Sequence, residues 1–237
     1  MAEHDIAHSL FNSLTEQMSA ADFSVSQGLV KTAEGGLSMN PKDPGNYTGG
    51  AIGSGVLIGT NYGISAPVLS AYLGRTATAD DMKNLTYDTA LAIYKKNYWD
   101  KIQGDQINSQ SNANLIYDSA VNQGVGKISG IVSDTLGLPH STSFNSAMVS
   151  QLNAQDPQKV FDAIKSARGA SYNSSSPFYQ GWMSRLSKLS FSDSISEATT
   201  ASIEAVKKHP LTTVLLTAGL VLGFFVLIHK IKQRQNQ

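Results

Sequence analysis

Two carboxylates close together in the chain invite a chemical reading. Glu34 is followed at once by Gly35 and Gly36, and Asp43 sits in the turn-rich run Pro41-Lys42-Asp43-Pro44-Gly45-Asn46. A carboxyl at the C-terminal end of a helix meets the negative end of the helix dipole, which disfavours its ionised form. Partial burial raises its pKa further. Adjacent glycines let a polymer approach the backbone without steric cost. Such a group can protonate a glycosidic oxygen while a second carboxylate holds or activates a water. Thr48 and Thr60 add hydroxyls able to position that water. The residues alone equally allow a plainer arrangement. Glu34 is then a surface residue before a glycine cap, and Asp43 opens a β-turn, where Asp is favoured for structural reasons.

The elements that must position these groups are mostly helical. Ile6, Leu10, Leu14 and Met18 recur every fourth residue and suit an amphipathic helix over residues 1–22. A second helix is expected from Phe23 to Ala33, stopped by Gly35 and Gly36. Residues 38–63, rich in Gly, Asn and Pro, read as a long ordered loop or a small hairpin. From Pro67 the helical pattern returns. Thr86–Asp88 forms a capping stretch, and Leu91, Tyr94 and Tyr98 come after it on one face. A further helix is expected to break at Gly124 and Gly126, and the next to end at Gly137-Leu138-Pro139. The runs DPQKVFDAIKSARGASY and FYQGWMSRLSKL complete the set. The expected fold is mainly α, with one small irregular or β element at the glycine loop.

Composition removes several classes of function. Lys+Arg and Asp+Glu both number 18, so the formal charge of the 237-residue chain is zero, against the basic surplus that nucleic-acid binding requires. With no cysteine, disulfides, thiolate metal sites and cysteine nucleophiles are excluded. The five histidines are scattered, and His4 and His8, one helical turn apart, suit a solvated face. No cofactor and no metal are expected. The run GGAIGSGVLIG lacks the lysine of a phosphate loop, and no G-x-S-x-G elbow is present.

The order of the motifs adds a resemblance. AEGGLSMNPKDPGNYTGG, LIGTNYGISA, LTYDTALAIYKKNYWDKI and IYDSAVNQGVGK succeed one another along the chain. Together they resemble the bacterial and phage muramidases of glycoside hydrolase family 108, over about residues 23–126. The resemblance implies a lysozyme-like helical catalytic domain in which Glu34 is the acid. Asp43 becomes the second acid, because Asn40 stands where members often carry Asp. The family's cleft residues map onto Thr48, Thr60, Tyr62, Tyr94, Trp99, Asp118 and Asn122. Aromatics at helical spacing are commonly core residues, and Tyr94 suits the cleft better than Trp99. Asp118 and Asn122, four apart, share a helix face and either bind sugar or hold the loop. Residues 127–190 resemble the small helical peptidoglycan-binding module that often comes after such a domain. They equally suit the closing helices of a single domain.

The C-terminal end differs in kind. A polar linker over 191–209 precedes Leu211–Ile228, which carries no charge. At ~1.5 Å per residue this segment reaches roughly 27 Å, enough for a transmembrane helix over 210–229. Lysines flank both ends, so orientation stays open. Gly219 and Gly223 have the G-x-x-x-G spacing that lets helices self-associate. The start of the chain shows no basic, then apolar, secretory pattern. The expectation is a membrane-anchored N-acetylmuramidase acting on peptidoglycan in the periplasm. Its expected partners are glycan strands, the lipid bilayer and virion proteins, in phage lysis or entry. The alternatives are a lytic transglycosylase and a non-catalytic wall-binding virion protein.

Overall fold

A computed structural model describes residues 20–30 and 36–192. The N-terminal apolar stripe, Glu34, and the linker and apolar segment beyond Ser192 lie outside the described residues. The chain divides into two units, Met1–Ser192 and Asp193–Gln237, and every described residue belongs to the first.

The described part is helical. In chain order the helices are α1 (Phe23–Val30), α2 (Ala66–Leu73), α3 (Ala79–Lys83), α4 (Tyr87–Tyr94), α5 (Gln110–Gln123), α6 (Val125–Thr135), α7 (Ser146–Ala154), α8 (Pro157–Ala170) and α9 (Tyr179–Ser187). Local chemistry starts most of them. The Thr86 hydroxyl accepts from Thr89 N–H at 3.2 Å to open α4. Ser109 caps α5 through Asn112 N–H at 3.0 Å, and Asn145 caps α7 through Met148 N–H at 3.1 Å. Asp156 caps α8 through Lys159 N–H at 3.0 Å, with Pro157 next in the first turn. Each cap satisfies an amide that the helix itself leaves free.

Gly124, at φ +89°, separates α5 from α6. The second break expected at Gly126 does not occur. That glycine lies within the first turn of α6, because a single residue outside the helical region already redirects the chain. Helix α7 has no counterpart among the expected elements. Its sequence, SAMVSQLNA, is short, and its buried residues are only Met148, Val149 and Leu152.

Two apolar clusters organise the packing. The larger runs from Ala21 to Leu189 and includes Trp99, Ile116, Tyr117, Val132, Phe161 and Ile164. Helix α5 passes through its middle and is buried on almost every side, including the polar Asn112, Asp118 and Ser119. The smaller cluster gathers Ile58, Ile64, Leu69, Met82, Ile93 and Tyr94. Phe23, Tyr98 and Val121 touch both clusters. A π-helical turn, Lys95–Trp99, extends α4 and delivers Trp99 to the larger core.

The small β element consists of isolated antiparallel bridges, Ser38↔Thr60, Tyr47↔Leu57 and Asn61↔Ile64, with no strand among the described residues. The glycine loop is tied instead by one fully buried side chain. Asn46 donates from Nδ2 to the Asn40 carbonyl at 2.9 Å, and its own backbone carbonyl accepts from Ile58 and Gly59 N–H at 3.0 and 3.1 Å. Gly59 sits at φ +90°, and a Cβ there would stand 2.6 Å from the Ser38 carbonyl oxygen, so glycine is required for the two arms to close.

Candidate functional site

Glu34 lies outside the described residues, and the described part of the site begins at Ser38. Ser38 exchanges both backbone hydrogen bonds with Thr60, at 2.8 and 3.0 Å. The next turn carries Asp43, which caps a short 3-10 segment, Pro44–Asn46. Its Oδ1 accepts from Gly45 N–H at 2.8 Å, and no hydrogen bond to Oδ2 is formed among the described residues. Around Gly45 the side chains converge. A Cβ on that glycine would lie 3.2 Å from Asp43 Oδ1 and 3.9 Å from the Thr60 hydroxyl. The structure thus brings Asp43 and Thr60 to either side of Gly45, in a half-buried turn. Thr48 is set one step away, where its hydroxyl accepts from Val56 N–H at 2.9 Å and clamps the hairpin.

Tyrosines form the neighbouring wall. Tyr62 is exposed and adopts φ +50°, a left-handed conformation that a bulky side chain takes only at a cost. Its ring meets Tyr87 edge-on at 5.7 Å. Tyr94 donates its hydroxyl to the Tyr62 carbonyl at 3.4 Å and lies 5.9 Å from the Tyr98 ring. Burial raises the Tyr94 pKa, helped by Tyr98 and opposed by the charge of Arg185. Burial also raises that of Tyr98. Both phenols are therefore neutral donors at ordinary pH.

Three other candidates fall elsewhere. Trp99 is wholly buried, packed against Phe23 and Tyr117 at 5.7 and 5.6 Å, with its indole N–H on Asp105 at 2.6 Å. Its ring serves the core and offers no face to a sugar, because the π-helical turn rotates it inward. Asp118 is also buried. Its two oxygens lie 2.7 Å from the Arg168 and Arg185 guanidinium groups, inside a buried ion-pair cluster. Asn122 accepts from the Tyr172 hydroxyl at 3.2 Å, next to the same cluster. Arg168, Tyr172 and Arg185 are absent from the candidates that the sequence supplies. The available signal was Asp118 itself, flanked by the apolar Leu115, Ile116, Ala120 and Val121, since a carboxylate carried into a core demands counter-charge.

A cavity of about 260 Å³ lies between Leu69, Leu73, Asp80, Asp81, Asn84, Leu85 and Thr89, and none of the candidates lines it. Asp81 in that lining is fixed by Arg75 and Thr78, which hold its carboxyl well below the usual range. Among the described residues no cluster of His, Asp or Glu could hold a metal ion.

With Asp43, Thr48, Thr60 and the tyrosine wall in place, comparison with known families bears directly on the site. Residues 28–124 match the family model of glycosyl hydrolase 108. That stretch contains Glu34, Asp43, Thr48, Thr60, Tyr62, Tyr94, Trp99, Asp118 and Asn122, every one of the candidates. Among solved structures, that of Brucella abortus SagA is 27% identical, spans 70% of this chain and 90% of its own, and has a TM-score of 0.57. No curated protein matches the chain. The glycosyl hydrolase 108 match supports a glycosidase, and the fold around it is mainly helical, as expected. No described helix is long and apolar enough to cross a membrane, and Leu211–Ile228 lies outside the described residues.

Proposed function

We propose that the protein is a peptidoglycan hydrolase of the N-acetylmuramidase type, cleaving the glycan strand of the bacterial wall. The glycosyl hydrolase 108 match over residues 28–124 carries the reading. Glu34 protonates the glycosidic oxygen as the bond to the sugar breaks. Asp43 orients a water with Oδ2, which no described residue engages, and the Thr60 hydroxyl on the other side of Gly45 supports it. The water adds to the sugar carbon and its proton passes to the base, so no metal enters the balance. Tyr62 and Tyr94 line the path of the strand.

Residues 127–190 are read as closing helices of the same body, because α6, α8 and α9 share one apolar cluster with α5. Leu211–Ile228 is read as a membrane anchor that holds the enzyme next to the wall, in a phage setting of lysis or entry. The uncharged run supports the first part and the family resemblance the second.

Zymography on purified walls tests the reading. The wild type is expected to clear the wall, and Glu34→Gln to abolish clearing with an unchanged melting curve, since Gln keeps the shape but has no proton to give. Turnover of the variant within threefold of wild type overturns the role of Glu34. Mass spectrometry of the products distinguishes mechanisms, because anhydro ends mark a lytic transglycosylase and reducing ends a hydrolase. An intact wall under the wild-type protein supports a non-catalytic wall-binding role instead.

A further inference from the structure

At the contact of α5, α8 and α9 two guanidinium groups share one carboxylate. Arg168 is fully buried, with Nη2 2.7 Å from Asp118 Oδ2 and Nε donating to the Tyr172 hydroxyl at 2.9 Å. Its Nη1 and Nη2 are both buried and make no hydrogen bond of good geometry among the described residues, so Nη2 meets Asp118 through charge alone. Arg168 by itself supplies the counter-charge that Asp118 needs. Arg185 is added to a carboxylate already neutralised. It reaches Asp118 Oδ1 from Nε at 2.8 Å and from Nη2 at 2.7 Å. Among the described residues the cluster therefore keeps one positive charge in excess, and an uncompensated charge in a poorly solvated place attracts an anion strongly.

The excess charge is not sealed in. The Arg168 and Asp118 side chains are 0% and 4% exposed, whereas that of Arg185 is 26% exposed. Its Nη2 edge is buried against Asp118, so solvent reaches the remaining part of the side chain. Helix α5 fixes where that part lies. Asp118 and Val121 lie on one face of the helix, and Val121 packs against the smaller core, the one that holds Tyr94. Arg185 thus emerges where the two cores meet, beside the tyrosine wall. The Tyr94 phenol feels its charge.

We propose that Arg185 contacts an anionic group of the substrate, and that Asp118 acts through it as a positioning residue. The reading rests on the protein being a peptidoglycan hydrolase. In that polymer the anions next to the sugars are the carboxylates of the stem peptide, and the guanidinium nitrogen that Asp118 does not engage, Nη1, is a charged donor suited to a carboxylate oxygen. Arg185 thereby makes the enzyme prefer strands that carry peptides over bare glycan. It also accounts for Asp118, which lies in the glycosyl hydrolase 108 stretch yet is buried against two arginines. No bond is made or broken at this point. The residue binds and aligns.

Equilibrium binding of the full-length chain tests this independently of cleavage. The probes are a disaccharide muropeptide, the same molecule with its carboxylates amidated, and a neutral chito-oligosaccharide. The wild type is expected to bind the free acid about tenfold or more tighter than the amidated form, the scale of a hydrogen bond to a charged group. Arg185→Gln should erase that preference, leave binding of the neutral sugar unchanged, and regain most of the preference as Arg185→Lys. Equal losses on acid and neutral ligands would show a purely structural arginine and overturn the proposal. So would a wild-type protein indifferent to amidation, and that comparison decides alone if the Gln variant does not fold. A protein that shows the carboxylate preference but releases no reducing ends keeps Arg185 and loses the hydrolase reading. One that cleaves with no carboxylate preference does the reverse.

Discussion

Asp43 illustrates how one side chain can be both turn chemistry and reaction chemistry. Its Oδ1 caps Pro44–Asn46 while Oδ2 stays unengaged by the described residues. Asparagine is as good a cap as aspartate, so Asp43→Asn should melt as the wild type does and lose on the order of 10²-fold in turnover. An unchanged rate would leave Asp43 a turn residue only. Asp43→Ala, by contrast, should also cost about 1 kcal/mol in a denaturant titration, through the missing cap. The sequence could pose this pair of roles but not separate them, because Asp-Pro-Gly-Asn is good turn chemistry whatever else it does. Tyr62 shows a feature no motif revealed, its left-handed backbone. Asparagine tolerates that conformation better than tyrosine. Tyr62→Asn is therefore expected to hold or gain thermal stability while activity on walls falls, a pairing that marks strain kept for function.

The helices were largely legible because caps and spacing are local. Thr86 opens α4 at the residue the pattern marked, and Gly124 ends α5. What the chain order hid was depth. Trp99, Asp118 and Tyr94 share the same stretch of motifs, yet burial sends the first to the larger core, the second to two arginines and the third to the smaller core, with its hydroxyl on the Tyr62 carbonyl. No periodicity announces the π-helical turn that does this for Trp99. Beneath that ring lies Gly104, where a Cβ would come within 2.3–2.7 Å of the indole. Gly104→Ala should destabilise by about 1–3 kcal/mol through overpacking, read as a lowered denaturant midpoint with an unchanged slope. The buried phenols give this region a pH signature. Burial raises the Tyr117 pKa above its ordinary 10.0, and its hydroxyl donates to Gln27. A raised folded pKa means stability that is complete below the unfolded value and is lost as pH climbs past it. The denaturant midpoint should hold steady up to about pH 9 and fall beyond 10, and fall less steeply in Tyr117→Phe.

At the scale of the molecule, the larger core decides what can be cut away. It draws on residues from Ala21 to Leu189. Truncation after residue 126 would strip α5 of its partners in α6, α8 and α9, and is expected to yield aggregated, inactive protein. Removal of residues 205–237 leaves that core whole and should give an active enzyme that no longer sediments with membranes. Activity lost in the second truncation, or kept in the first, would redraw the boundary of the catalytic body. The glycine loop stands apart from this core in how it is fastened. Ile58 is its one fully buried aliphatic side chain, in the smaller core; Leu37, Met39, Ile52 and Val56 are exposed, and its arms meet through Asn46 and a few backbone bridges. Such a segment opens at a free energy well below that of the whole protein. Heat should then silence the enzyme before it melts it: a temperature window in which the helices remain intact, the strand-binding surface is already lost, and cooling restores full activity without any refolding lag.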